Sequence, residues 1–386
     1  MKKEKIVSIA EKNRIINNII NCIINNEKFL IMGHKSPDED CIASMVAIAL
    51  LITKFNKDSF LCLPKNVDKR FQYLLNICRY NSIGFIGSCQ PVIKDTDVVF
   101  FCDTPKPSML EDIPGMDELL SKNGLIKIEI DHHLGGDSEY IGDREYSLVT
   151  EASSAAELVG HILLKLRNMK EVLEQFQIKE LFSRNIILAI LTGIVGDTGM
   201  GKYIKSRREW RYYRMFSSLF NSMLAAETVK DSNFSTMEEL YEELKRHSKE
   251  EEACYNDILV KKNIRGGVGF VFMDRDFMKK LKSKYSEDTI VSVTRAIADN
   301  LAEESGKVGL VSYYDNEVEG GLLQFRLRRG HSFRGFDLRN ILYEFNIENG
   351  GGHEGAIGFR IPSEKIKDAR KYIDELISSI NAKVSQ

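Results

Sequence analysis

Residues 125–133 read LIKIEIDHH, a run of β-forming apolar positions that stops at an aspartate and two histidines. Leu125, Ile126, Ile128 and Ile130 suit a pleated strand packed on at least one face, while Lys127 and Glu129 argue against burial of the whole strand. In an open α/β sheet the carboxyl ends of parallel strands form the crevice where ligands bind. That geometry puts Asp131, His132 and His133 on the crevice floor. Taken alone, the tripeptide is equally well explained as an Asp-His pair closing a turn.

The same arrangement recurs on both sides. FLIMGHKSPDED is a short apolar strand (29–32) opening into a loop with Gly33, His34, Pro37, Asp38 and Asp40, followed by a helix over 41–54. SFLCL (59–63) and VVFFCD (98–103) read as further strands with a helical segment around 68–80 between them, and Asp103 ends the second. SSAAELVGHILLKL (153–166) is a helix capped by Ser153 or Ser154, and FSRNIILAILTGIVGDTG (182–199) delivers Asp197 beside two glycines. Strands alternating with helices predict an α/β fold with a doubly wound, mainly parallel sheet, whose polar strand ends converge on one edge. The expected organisation is a first domain over 1–204 including an amphipathic helix, a polar helical connection over 205–262, and a smaller α/β domain over 263–386. In the last, GGVGFVFMD, KVGLVSYYD and VEGGLLQFRLRRG supply strands around a helix near 288–304.

A length of 386 residues favours about two domains, and a net charge of −2 argues against wrapping duplex DNA. The apolar stretch CIASMVAIALLI (41–52) is too short to span a bilayer, and the first residues carry isoleucines at helical spacing with no signal-peptide core. A cytoplasmic protein without membrane contact is expected. Cys22, Cys41, Cys62, Cys78, Cys89, Cys102 and Cys254 are odd in number with no C-x-x-C pair, which reads as reduced packing residues.

His34, Asp38 and Asp40 offer an imidazole and two carboxylates within one loop. In an extended segment residues two apart face the same way, so Asp38 and Asp40 can each address a different metal ion. Asp103 is the candidate to bridge two dications about 3.5–4 Å apart, with His132 and Asp197 completing the second. The donors are oxygen-rich with no thiolate, which suits Mn²⁺ or a related octahedral ion, Mg²⁺ being the close competitor. Each element alone reads as a turn or cap; four at successive strand and helix ends favour a dinuclear site. In the last domain, backbone N–H groups of Gly350, Gly351 and Gly352 can cup an anion beside His353, against the plainer reading of a glycine-rich surface turn. Alternation in LLQFRLRR puts Arg326 and Arg328 opposite Phe325 and Leu327. KSRREWRYYRM (205–215), with Trp210, Tyr212 and Tyr213, has a composition suited to phosphates and stacked bases, but reads first as a solvated helix face. His161 and His247 are expected in helical segments without acidic or cysteine partners at metal-ligand spacing, as packing and surface residues; His331 stays open.

GHKSPDED, FCDTP, IDHH and GIVGDTG resemble the four successive motifs of the DHH phosphoesterase superfamily, and NGGGHEGAIGF (349–359) resembles the glycine-rich signature of its DHH-associated substrate-binding domain. The resemblance runs from about residue 28 to 380. It implies that His34, Asp38 and Asp103 hold one metal, that Asp40, Asp103, His132 and Asp197 hold the other, that Asp131 orients its histidine neighbours, and that His133 faces the phosphate. It further implies two Mn²⁺ per site, with Mg²⁺ or Co²⁺ as substitutes, and substrate contacts from Arg328, Gly350, Gly351, Gly352 and His353. The implied activity is that of nanoRNase and pAp-phosphatase enzymes, hydrolysing short oligoribonucleotides, pApA, pAp or cyclic di-AMP by metal activation of water. No transmembrane or sensory segment precedes the motifs, so the soluble form is expected, with short RNA or a dinucleotide as partner and self-association as a homodimer. The rivals are a family II inorganic pyrophosphatase or exopolyphosphatase, and a nucleotide-binding regulator with an idle metal site. Departures occur at Glu39 and Ala43, where relatives often carry Gly, in basic residues after the fourth motif, where Asn-Thr-Thr is usual, and at Asn349, which precedes three glycines rather than standing in a run of four. All of them spare the implied ligands.

Overall fold

A computed structural model describes residues 1–65, 67–110, 113–134, 137–201, 204, 206–226, 237–245, 247–315, 321–333 and 335–384. Two compact units divide the chain, Met1–Arg246 and His247–Gln386.

The first unit runs α1 (Ile9–Asn25), β1 (Lys28–Gly33), α2 (Glu39–Lys54), β2 (Asp58–Cys62), α3 (Gln72–Tyr80), β3 (Gly84–Ile86), β4 (Val98–Cys102), α4 (Met116–Leu120), β5 (Ile126–Asp131) and β6 (Ser147–Val149). It continues through α5 (Ala155–Leu166), α6 (Lys170–Gln175), α7 (Arg184–Thr198), α8 (Arg207–Ala226) and α9 (Met237–Lys245). Its six strands pair in parallel in the order β3-β2-β1-β4-β5-β6. The strand order reverses between β1 and β4, and the crevice outside their carboxyl ends is where a doubly wound sheet takes a ligand. His34 follows β1 and Asp103 follows β4, so the topology itself brings these two residues together.

β4, the hydrophobic run VVFFC, is buried throughout, as a central parallel strand covered on both faces should be. α2 is buried from Asp40 to Ile52, which explains why its sequence is apolar all round rather than striped. It packs against α5 and α7 in one core, into which α1 contributes Ile15, Ile16, Ile19, Ile20 and Ile23. Ser154 is the cap of α5, its side chain accepting from the Glu157 N–H. One expectation for β5 is corrected: Glu129 is fully buried, because Lys3 pairs with it at 2.7 Å.

The second unit runs α10 (Lys249–Leu259), β7 (Asn263–Arg265), β8 (Val268–Met273), α11 (Arg275–Lys282), α12 (Glu287–Ser305), β9 (Val308–Asp315) and β10 (Leu322–Arg329). It ends with α13 (Arg339–Glu344), β11 (Gly350–His353), β12 (Ala356–Pro362) and α14 (Ala369–Val384). Its sheet has the order β11-β12-β10-β9-β8-β7, antiparallel except between β8 and β9. The helical stretch between the two sheets divides: α8 buries Phe216 and Phe220 in the first core, whereas α10 buries Cys254 and Ile258 against α12. A capping box starts α10, Ser248 accepting from the Glu251 N–H while Glu251 accepts from the Ser248 N–H. All seven cysteines are free and buried, and no described helix is long and apolar enough to cross a membrane.

Candidate metal centre

β1 ends at Gly33 because nothing larger fits: a Cβ there would lie 2.1 Å from Cys41 Sγ and 3.1 Å from the Cys102 carbonyl oxygen. The chain then turns to place His34, which is buried and whose Nδ1 has no hydrogen-bond partner among the described residues. Asp38 caps α2, accepting from the Cys41 N–H at 3.3 Å, and lies 3.8 Å from His34 Nε2. Asp40 is already inside the helix. The extended-loop argument for this pair is therefore corrected: a helix cap and a first-turn residue diverge because the helix twists about 100° per residue. Asp40 instead turns toward the start of α5, where its Oδ2 accepts from the Ala155 N–H and its Oδ1 from the Ala156 N–H at 2.9 Å.

Asp103 ends the β4 ladder by donating its N–H to the Ile130 carbonyl at 2.9 Å, then enters the left-handed region at φ 49°. Asp tolerates that region better than most side chains, and the twist turns its carboxylate into the crevice. Asp103 Oδ2 lies 4.0 Å from His34 Nε2, and Oδ1 lies 3.4 Å from both His132 Nε2 and His133 Nδ1. His132 Nε2 is also 3.7 Å from Asp40 Oδ2 and 3.1 Å from Asp197 Oδ2. Its Nδ1 sits 3.3 Å from the Ala152 carbonyl, which holds the ring with Nε2 toward the acids. Asp131, fully buried, accepts from His133 Nδ1 at 2.8 Å and from the His133 backbone N–H at 3.2 Å.

These contacts give three groups of mutually close donor atoms: His34, Asp38 and Asp103; Asp40, His132 and Asp197; and Asp103, His132 and His133. The structure thus brings together all six residues singled out in the sequence as metal donors. Burial, then the neighbouring Asp103 and Asp197, hold the Asp40 carboxyl well above its ordinary range. Asp197 is raised too, by burial and by Asp103 and Asp38. Burial would discharge His132, but the Asp103 and Asp197 carboxylates close to its Nε2 push its pKa well above the ordinary value. Against burial, His133 and Lys3 hold Asp131 below the usual carboxylate range.

The donor set fits divalent ions. Carboxylates crowded in a buried crevice repel one another unless a cation joins them, and the buried Asp103 Oδ1 makes no hydrogen bond among the described residues. The oxygen and imidazole donors suit hard or borderline dications. A pH dependence follows. His132 has a raised pKa, so its charge stabilises the metal-free fold below its unfolded pKa, and that contribution is lost as pH rises through the folded value. A metal at His132 must displace the same proton. Titration calorimetry should find Mn²⁺ affinity rising from about pH 6 to about pH 8 with net proton release. Constant affinity without proton release would remove His132 from the ligand set.

In the second unit, β10 alternates as expected, with Leu323, Phe325 and Leu327 in the core and Arg326 and Arg328 on the other face. Arg328 Nε lies 3.3 Å from Asp299 Oδ1. The triple glycine forms the edge strand β11 rather than a turn, Gly350 pairing with Phe359, Gly351 with Gly358 and Gly352 with Ile357. An edge strand leaves alternate N–H groups off the ladder. Gly352 has φ 133°, and a Cβ there would lie 2.2 Å from the Ala356 carbonyl oxygen. The side chain of His353 and the whole of Lys205 lie outside the described residues.

Two histidine expectations are corrected. His161 is a buried helix residue, as expected for packing, but it has an acidic partner, Glu157 Oε1 at 3.2 Å one helical turn away, and Lys12 Nζ lies 2.7 Å from its Nδ1. His247 precedes α10 instead of lying in a helix, 5.7 Å from the Tyr255 ring. His331 donates its backbone N–H to Glu303. On α8, Arg207, Trp210, Arg211, Arg214 and Met215 line an open groove of about 600 Å³, while Tyr212 packs on the His161 ring. Sequence reasoning missed Lys3, whose ammonium pairs with Asp131 far along the chain, and Gly193, a glycine within a helix.

The sequence model of the DHH family, N-terminal domain, matches residues 28–194, and that of the DHHA1 domain matches residues 278–379. The chain belongs to the DHH superfamily. This DHH chain is 30% identical over 194 residues to the cyclic-di-AMP phosphodiesterase GdpP of Bacillus subtilis, an alignment covering 48% of this chain and 27% of that one. It thus spans about a quarter of the length of the cyclic-di-AMP phosphodiesterases it matches. An uncharacterized protein of Methanocaldococcus jannaschii is 24% identical over 359 residues, 92% of this chain and 93% of the other. A solved structure of an exopolyphosphatase-related protein from Bacteroides fragilis superposes with a TM-score of 0.67 at 17% identity, covering 100% of both chains, which shows a shared fold.

Proposed function

We propose that this DHH chain is a Mn²⁺-dependent phosphodiesterase that hydrolyses short oligoribonucleotides and dinucleotides, pApA and cyclic di-AMP among them, with pAp as a further substrate. The observation that carries the reading is the convergence of His34, Asp38, Asp40, Asp103, His132 and Asp197, from four separate segments, on the crevice where the strand order reverses. The phosphodiesterase named among its relatives supports the substrate class.

Two divalent ions held by these residues, Mn²⁺ or in its place Mg²⁺ or Co²⁺, would supply the positive charge that lowers the pKa of water and offsets charge on phosphoryl oxygens. The chain's own groups do the rest. Asp103 serves both halves of the ligand set. Asp131 keeps His133 Nδ1 engaged, leaving the other ring nitrogen for a phosphoryl oxygen or leaving group. Arg328, the glycines of β11 and His353 are assigned to gripping substrate phosphate.

A hydrolysis panel of pApA, cyclic di-AMP, pAp, short RNA and pyrophosphate with Mn²⁺ tests this. Nucleotide products are expected. Rapid pyrophosphate turnover with untouched dinucleotides would move the assignment to a pyrophosphatase. In the same panel, Arg328→Ala should raise KM by about tenfold, the worth of one charge-assisted hydrogen bond, with unchanged metal content. Metal loss in that variant would contradict the substrate role of Arg328.

A further inference from the structure

Lys3 is buried, and its side chain has no exposed surface. Its backbone runs beside the segment that follows the histidine loop. Lys2 bridges to Glu139, the Lys3 N–H donates to the Ser138 carbonyl at 3.1 Å, and the Tyr140 N–H donates to the Met1 carbonyl at 2.9 Å. Tyr140 reinforces this strap, its hydroxyl donating to the Glu4 carbonyl at 2.9 Å and accepting from the Glu4 N–H at 3.1 Å.

From there the Lys3 side chain, with no exposed surface, reaches the carboxyl end of β5. Three oxygens face its ammonium: Asp131 Oδ2, Glu129 Oε1 at 2.7 Å and the Thr104 carbonyl at 2.7 Å. Thr104 directly follows Asp103, so the same ammonium ties together the ends of β4 and β5. Both carboxylates are fully buried and each divides its oxygens. Glu129 Oε2 accepts from the Ile141 and Gly142 N–H groups at 3.1 and 3.0 Å, a purely structural task. Asp131 Oδ1 accepts from His133 Nδ1. That nitrogen has a second suitor, Asp103 Oδ1 at 3.4 Å, so the ring's choice depends on where the Asp131 carboxylate is held.

We propose that Lys3 is a positioning residue: by fixing Asp131 Oδ2 it aims Asp131 Oδ1 at His133 Nδ1, and so sets the tautomer and ring orientation of His133. Its catalytic consequence rests on the phosphodiesterase reading above. A buried pair kept only for stability would make no such demand on His133. Second-sphere groups that orient a metal-site histidine typically change activity 10–100-fold when lost.

Lys3→Met alone strands two buried carboxylates and risks misfolding. The double variant Lys3→Met/Glu129→Gln keeps the net charge of the group at −1, since Lys3, Glu129 and Asp131 in the parent give the same sum as Asp131 alone, and the introduced glutamine amide retains an oxygen for the two N–H groups. Two readouts apply. In diamagnetic Mg²⁺-loaded protein, imidazole nitrogen shifts should report a single Nδ1–H tautomer of His133 in the parent and a mixture in the double variant. With pApA and Mn²⁺, kcat should fall about 10–100-fold with KM and metal content unchanged, while Glu129→Gln alone stays within about twofold. An unchanged His133 tautomer together with unchanged kcat in the folded double variant would overturn the proposal. Should the parent cleave nothing in the panel while the tautomer still shifts, the phosphodiesterase reading fails and the positioning role stands.

Discussion

Replacing Asp103 by Asn should abolish measurable turnover, lowering kcat/KM by about 10³-fold or more, and should also abolish the stabilisation of the protein by Mn²⁺. The substitution preserves size and the left-handed backbone, which Asn tolerates as well as Asp does. What it removes is the one carboxylate near His34 on one side and His132 on the other. A shared ligand has no substitute, because Asp38 lies with the first group only and Asp40 and Asp197 with the second. Losing several kcal/mol of transition-state charge stabilisation corresponds to the rate loss given, at about 1.4 kcal/mol per factor of ten. The thermal measurement separates chemistry from folding. A ligand at about 100 times its dissociation constant stabilises by about 2.7 kcal/mol. The parent should show that increment with Mn²⁺ and Asp103→Asn should not, while both melt alike without metal. Retained turnover in Asp103→Asn would remove Asp103 from the centre of the site.

Much of this centre was legible because its residues sit where secondary structure ends. A polar residue closing an apolar strand stands out locally, and His34, Asp103 and His132 each follow one; Asp197 stands out in the same way near the end of an apolar helix. The parallel sheet was likewise written in the alternation of strands and helices. What stayed hidden depends on long-range pairing. Glu129 read as a solvent-facing charge because its partner, Lys3, lies more than a hundred residues away. His161 read as unpartnered although Glu157 is one turn off, because the spacing was judged for metal ligation and not for an ion pair on a helix face. The relation of Asp38 to Asp40 failed on a boundary: two residues' difference in where α2 begins converts a strand-like geometry into a helical one. The strand pairing of the β11 glycines stayed hidden because the three were read only for anion-cupping N–H groups or, more plainly, a surface turn, yet close approach to the Ala356 carbonyl needs glycine in a strand too.

Gly193→Ala should damage the metal centre although Gly193 is not itself a ligand. In an exposed helix, Gly to Ala gains about 1 kcal/mol, because glycine has the greater backbone entropy to lose. Gly193 lies inside α7, where that gain is overridden by its surroundings. A Cβ at this position would lie 2.4 Å from Asp40 Oδ1 and 2.5 Å from Ala156 Cβ, with Ala43 Cβ at 3.4 Å. None of the three neighbours has a long, flexible side chain to swing away. Asp40 is pinned by the Ala155 and Ala156 N–H groups, so relief requires moving Asp40 off the start of α5 or prising α7 from α2. Overpacking of this kind costs about 1–3 kcal/mol, and a ligand displaced by about 1 Å can lower turnover about 100-fold. The expected result is therefore a folded protein with Mn²⁺ affinity reduced at least about tenfold and turnover reduced about 100-fold. Gly160→Ala supplies the contrast. It too lies inside a core helix, α5, but its Cβ would meet the Phe216 ring at 2.5 Å and no carboxylate. It should lower the melting temperature comparably while leaving metal affinity intact. If both variants lost metal equally, the effect of Gly193 would be general loosening of the core, and the helix contact would not be what holds Asp40 in place.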